Sequence, residues 1–234
     1  MDERLMRTRR VFLKSGIFIG GAALAGVGVL RAAEKAKEEE EEVSPAEDLM
    51  REHGVLKRVL LIYEEAIRRI TANQELSVET VADSAKIIRN FIEDYHEKLE
   101  ENFLFPRFEK AGKLTDLVKT LRDQHQAGRR VTDLTLGLAK QSTIKNADER
   151  TQLADSLRQF IRMYNPHEAR EDTVLFPAFR KIVSANEYAS LGQDFEKKEH
   201  ELFGEDGFEK MVDKVTNIEK KLGIYELAQF TPKI

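Results

Sequence analysis

The 234-residue chain contains no cysteine. That excludes disulfide staples, thiolate metal ligands and a lipid-modified cysteine, and leaves stability to the apolar core or to a metal held by other side chains. A basic surplus is missing too: 38 Lys and Arg face 42 Asp and Glu, a net charge of -4. Binding to phosphate backbones needs a concentrated positive surface, so nucleic acid is excluded as the main partner. Nor is there an apolar run of the roughly 20 residues that a membrane span requires. The uncharged stretch from Gly16 to Leu30 has only 15 residues, many of them Gly and Ala. Convincing strand alternation is also absent. With 41% apolar and 34% charged residues, what remains is one sizeable helical core with appendages.

The first 30 residues differ from the rest. A basic start precedes the uncharged stretch, the order of n-region and h-region in an export signal. Within it, Thr8-Arg9-Arg10-Val11-Phe12-Leu13-Lys14 resembles the twin-arginine signal, with the paired Arg, the Phe-Leu and the following Lys in place. The resemblance implies export by the twin-arginine translocase to a periplasmic or other extracytoplasmic location, of a protein that crosses already folded and loaded. Loading before export has a physical sense, because a site for a weakly held divalent metal, if filled outside, would be taken by copper or zinc. Residues 1–33 are assigned to this signal. Ala23-Leu24-Ala25 offers an early cleavage site and Ala32-Ala33 a late one behind Arg31; left uncleaved, the signal becomes a membrane anchor.

From Glu34 to Asp48 eight acids face two lysines without an apolar pattern, and residues 34–45 read as a solvated linker. Ser44 and Pro45 open the first helix. Its stripe is Leu49, His53, Leu56, Leu60, Tyr63, Ile67 and Ile70, spaced alternately by four and three. A second helix runs from Ser77 as N-cap to Ala111, stopped by Gly112, and a third is capped by Thr115 and carries Leu117, Leu121, His125, Gly128, Thr132 and Thr135. A polar loop at Gln141 to Asn146 precedes a fourth helix reaching about Val183. Short connections favour antiparallel neighbours, so residues 46–183 are expected to form an all-α, antiparallel four-helix bundle. Ser184 to Glu187 reads as a capping box for a fifth helix to Phe203, and a last helix ends near Gly223, making 184–234 a helical extension.

The bundle repeats itself. "YHEKLEENFLFPRFEK" at Tyr95 to Lys110 echoes "HEAREDTVLFPAFRK" at His167 to Lys181, and "REHGVLKRV" around His53 echoes "DQHQAGRRV" around His125. His53 precedes His96 by 43 positions and His125 precedes His167 by 42, so the bundle is two copies of one hairpin. Each copy has a lone His on its first helix and HxxxE followed by LFP on its second. Residues four apart share a helix face, so His96 with Glu100, and His167 with Glu171, aim a nitrogen and a carboxylate the same way. Both pairs lie within apolar stripes, and a buried carboxylate must be paired, protonated or metal-bound. Two acids facing four imidazoles are most simply explained by a pair of cations. Imidazole and carboxylate without thiolate suit iron, or manganese, better than a closed zinc site.

His53, His96 with Glu100, His125 and His167 with Glu171 resemble the hemerythrin-like (HHE cation-binding) family over roughly Ala46 to Val183. The resemblance implies two non-haem iron ions, open to an oxo bridge, ligated by those six residues, with Glu100 and Glu171 bridging. It also implies O2, NO or peroxide as small ligand. The family's oxygen carrier has a second His four residues after the third-helix His; here Arg129 stands there and cannot ligate. It also takes a carboxylate five residues past its last His, the place of Asp172, but the internal repeat favours Glu171. His200, in "EKKEHELFG" of the fifth helix, is a candidate for the missing nitrogen. Three functions are compatible: binding of such a molecule, reduction of peroxide, O2 or NO by an oxidoreductase with an unspecified redox partner, and iron storage or donation. Tyr63 and Tyr164 share the ligand stripes, the Phe residues of the LFP motifs pack the bundle end or line a dry pocket, and Pro166 predicts a bend or bulge that re-aims His167.

Overall fold

The computed structural model describes residues 43–233. The expected export signal at residues 1–33 and most of the expected linker at 34–45 lie outside them. Helix α1 is Pro45–Thr71, with Ser44 at its N-cap accepting a hydrogen bond from the Glu47 amide and Pro45 in its first turn. Helix α2 covers 78–111 with changing pitch. It is α-helical over Val78–Ile87, widens to i→i+5 hydrogen bonding over Ile88–His96, narrows at Glu97–Leu99, widens again over Glu100–Leu104 and ends as Phe105–Ala111. Gly112, with a left-handed φ of 60°, stops it. Helix α3 is Thr115–Leu138. Thr115 does not cap it: the N-cap is Leu114, itself left-handed at φ 51°.

The expected loop at Gln141 to Asn146 contains a helical turn, Gln141–Lys145, and Asn146 caps the next helix by accepting from the amides of Asp148 and Glu149. Helix α4 covers 147–182: α-helical at Ala147–Arg170, wide at Glu171–Leu175 and α-helical again at Phe176–Ile182. Pro166 sits inside the first of these segments without interrupting it. The bulge falls instead just ahead of Pro177, as its counterpart falls just ahead of Pro106. A proline offers no N–H to the turn below, and the helix re-registers there by widening. The LFP motif is thus the mark of a wide turn that begins at the glutamate of each HxxxE.

The four helices close a ring in which α1 and α3 each pack against both α2 and α4. Stripe positions Leu49, Leu56, Leu60, Tyr63, Leu121, Leu157 and Phe160 are buried along the axis. Helices α5 (Ala185–Phe203) and α6 (Gly207–Leu222) follow, and a 3-10 turn closes the chain at Leu227–Phe230. Ser184 caps α5 through the Glu187 amide, while the Glu187 side chain pairs with Arg107. Helix α5 lies on α1, and α6 lies on α1 and α2. Arg58 of α1 fastens α6 through Glu219 and Thr216. The extension therefore covers the face presented by the first hairpin. Among the described residues no helix is long and apolar enough to cross a membrane.

Candidate metal centre

Midway along the bundle, each of the four helices turns one histidine inward: His53, His96, His125 and His167 are all buried, and Glu100 and Glu171 between them have no exposed surface at all. The rings pair off, His53 with His96 at 4.7 Å between centroids and His125 with His167 at 5.0 Å. The Nε2 atoms converge on the two carboxylates. His167 Nε2 lies 3.1 Å and His53 Nε2 3.4 Å from Glu171, while His125 Nε2 lies 3.4 Å and His96 Nε2 3.8 Å from Glu100. His125 Nε2 is also 3.9 Å from Glu171. The six residues singled out by the repeat thus meet at one place. His200 does not join them. It is exposed on α5, one residue past the buried Glu199, because the inward face of that helix is Leu191, Phe195 and Glu199.

The opposite ring nitrogens are held by four partners that the sequence reading did not single out for this task. His96 Nδ1 is 2.8 Å from Glu52, His167 Nδ1 2.8 Å from Gln124, His125 Nδ1 3.1 Å from Glu101 and His53 Nδ1 2.8 Å from Asp172. The arrangement follows the repeat. The residue before each lone His holds the HxxxE histidine of the same hairpin, and the residue after each HxxxE glutamate holds the lone His of the other hairpin. The wide turns allow the second half of this pattern. More residues per turn let neighbours diverge less, so Glu100 and Glu101, like Glu171 and Asp172, both reach inward. With Nδ1–H donated outward to an oxygen, each Nε2 is the nitrogen left facing the carboxylates, and once deprotonated it offers the lone pair a metal needs. Asp172 is therefore a support of His53 and Glu171 the inward acid. Asp172→Ala is expected to lower metal affinity roughly 10–100-fold without removing a ligand, which titration of metal into the apo-protein measures.

The LFP phenylalanines also have a place. Phe105 stacks on His125 at 5.4 Å and 22°, and Phe176 stacks on His53 at 5.6 Å and 22°. Deeper in, Arg129, the residue at the position of the absent second histidine, bridges Glu97 and Glu101 at 2.6 and 2.8 Å. The Tyr164 hydroxyl donates to Glu97 at 2.5 Å, its ring lying 5.3 Å from His167. Gly128 makes room for it: a Cβ there would meet Tyr164 Oη at 2.2 Å. Tyr63 is buried with no hydrogen-bond partner for its hydroxyl.

Electrostatically the metal-free cluster is unsettled. Burial, and then the charge of Glu171, push Glu100 well above the usual carboxylate range. Burial opposes ionisation of Glu171 as well, but contacts to His167 and His53 outweigh it and hold this acid well below that range. The pair thus retains one proton. Burial lowers His125 to about 4 and takes His96 well below its ordinary value. His53 differs: hydrogen bonds to Asp172 and Glu171 overcome burial and raise it to about 9. A raised histidine stabilises the fold below its ordinary 6.5, and that contribution disappears as pH climbs through about 9. Glu100 works in the same direction. The melting temperature of metal-free protein should therefore fall by several degrees between about pH 7 and 9.5, while metal-loaded protein, whose ligands are already deprotonated, should not follow it; calorimetry of both forms checks this.

The donor set fits a metal. Both oxygens of Glu100, both of Glu171 and His125 Nε2 are buried without a hydrogen-bond partner, and polar atoms buried in this way are costly unless a cation compensates them. His125, His167 and Glu171 place one ligand atom each within 4.8 Å of one another. A family model described as the hemerythrin HHE cation binding domain matches residues 44–143. The chain belongs to this hemerythrin family. Three uncharacterized proteins, two from strains of Mycobacterium tuberculosis and one from Mycobacterium bovis, are each 53% identical to it over 195 residues, 83% of this chain and 76% of theirs. No solved structure matches it. The matched span of the hemerythrin HHE domain stops at 143, ahead of His167 and Glu171; these two enter the centre through the internal repeat.

Proposed function

We propose that this hemerythrin-like protein holds two non-haem irons between Glu100 and Glu171, and binds O2, NO or peroxide there. The observation that carries the proposal is the convergence of four Nε2 atoms on two buried, otherwise uncompensated carboxylates. His53 and His96 would serve one metal and His125 and His167 the other, with both glutamates shared. Reduced iron in such a site supplies an open position for a small ligand; the chain keeps bulk water out with Phe105 and Phe176 and fixes the imidazoles through Glu52, Glu101, Gln124 and Asp172. Manganese is the other metal these ligands suit.

The optical spectrum of anaerobically reduced, iron-loaded protein should change on adding O2, NO or peroxide; no change with any of the three rejects the proposal. Catalytic consumption of the same molecules with an artificial electron donor in excess marks the oxidoreductase alternative, favoured by Arg129 standing where a further nitrogen ligand would be. Prompt loss of iron to a chelator marks storage or donation. The twin-arginine pattern at Thr8 to Lys14 supports export of the loaded protein, as a periplasmic or anchored form. Arg9→Lys with Arg10→Lys should then retain it in the cytoplasm, as fractionation would show.

A further inference from the structure

Between α2 and α6, closed at one side by the last residues of α5, lies a groove of about 740 Å³. That volume falls within the roughly 300–1,000 Å³ of pockets that hold small molecules. Ile87, Phe203, Met211 and Ile218 form an apolar floor. The charges around it nearly cancel: Asp83 pairs with Lys86 at 3.0 Å, and Asp94 offsets one of the two remaining lysines, Lys214 and Lys221. Asn217 stands exposed at the mouth. A nearly neutral rim over an apolar floor suits a flat, uncharged molecule with hydrogen-bonding edges better than a phosphate-bearing one.

The floor is in touch with the metal centre. Phe203 meets Tyr95 edge-on at 5.4 Å and Phe91 at 5.7 Å, and Tyr95 and Phe91 lie 5.6 Å apart. Tyr95 is buried and directly precedes His96, one of the four inward histidines. A run of ring contacts therefore leads from the groove to the neighbour of a ligand. The second hairpin does not repeat it: its residue matching Tyr95 is Pro166, and the helices that supply the groove pack on α1 and α2.

We propose that this groove binds a quinol, which reduces the metal centre through Phe203 and Tyr95. This rests on the two-metal proposal above and names the electron donor for it. The quinol gives up two electrons, one to each ferric ion, and its two hydroxyl protons pass to solvent at the exposed rim; a quinone and two ferrous ions remain. The protein's part is to seat the ring on the apolar floor, to offer its oxygens the Asn217 amide and the Lys214 ammonium, and to keep aromatic contact inward.

Two measurements on full-length protein test this. Menadione, a soluble naphthoquinone, should bind metal-free protein at one site in titration calorimetry. Asn217→Trp, which fills the mouth, should weaken that binding at least about tenfold. Menadiol, its reduced form, should then bleach the ferric absorption of iron-loaded protein under anaerobic conditions, one quinol for every two irons. Asn217→Trp should raise the menadiol concentration needed for half the maximal rate. Phe203→Leu, which keeps the floor apolar but breaks the ring contact, should lower the maximal rate itself at least about tenfold, and Phe203→Tyr should keep it near that of wild type. Dithionite, a small charged reductant with no need of the groove, should reduce all four proteins alike, and their iron content should match. Failure of menadione to bind metal-free wild type, or a menadiol reaction indifferent to both Asn217→Trp and Phe203→Leu, overturns the quinol site while leaving the two-metal centre standing. Wild-type protein that binds no iron overturns the centre itself, and the electron route with it.

Discussion

Replacing His96 and His167 together by alanine should abolish the proposed iron binding, from about two per chain to none, and lower thermal stability at the same time. The loss of metal follows from geometry. Each histidine belongs to a different ring pair, and each supplies an Nε2 within 3.8 Å of a buried carboxylate. Losing one from each pair leaves both positions with a single imidazole. The loss of stability follows from linkage, since a metal that binds only the folded chain stabilises it by about 2.7 kcal/mol at a hundredfold excess over Kd. For a chain of this size that corresponds to a fall of roughly 5–11 °C in Tm. Metal analysis and calorimetry on the same sample read both effects, and unchanged iron content would refute the assigned ligands. Metal-free wild type separates the two contributions: it should melt lower than loaded wild type, and adding iron should raise its Tm but not that of the variant.

Gly128→Ala has the second largest expected effect, and it needs no metal to be seen. A methyl group there would sit 2.2 Å from Tyr164 Oη and 2.9 Å from two atoms of its ring. The ring cannot easily retreat, because it is buried and stacks on Phe160 at 4.3 Å. Overpacking of this kind costs about 1–3 kcal/mol. Displacing the hydroxyl also deprives buried Glu97 of a donor, at about 1–3 kcal/mol more. Together they lower Tm by roughly 4–24 °C. The test is a double-mutant cycle with Tyr164→Ala: in that background the cost of Gly128→Ala should largely vanish, since the group it strikes is gone. An equal cost in both backgrounds would mean that Gly128 is needed for another reason.

Helix periodicity carried most of the architecture. Lone His, HxxxE and LFP recur at nearly constant spacing, and residues four apart on a helix face must point together, so the meeting of six side chains followed from the repeat. Supporting residues were harder to see. Glu52, Glu101, Gln124 and Asp172 are ordinary surface residue types, and Glu101 and Asp172 reach inward beside their glutamates only because the wide turns at Glu100–Leu104 and Glu171–Leu175 spread fewer degrees over each residue. The repeat nonetheless held a signal for them, since each stands next to a ligand-type residue at the same offset in both copies. Glu97, Arg129 and Tyr164 form a buried network that pairwise spacing does not reveal, because its members come from three helices. His200 was misplaced for a simpler reason: one residue along a helix is a rotation of about 100°, and Glu199 holds the inward position. At α3 the chain enters through a left-handed Leu114 where a hydroxyl cap at Thr115 was expected, a local conformation that residue type does not announce.

X-ray absorption at the iron edge of loaded wild-type protein tests the central claim most directly. Two metals clasped by Glu100 and Glu171 predict a first shell of nitrogen and oxygen only, outer scattering from imidazole rings, and an iron–iron path no longer than about 4 Å. Isolated iron, with no metal neighbour and no imidazole scattering, would contradict it.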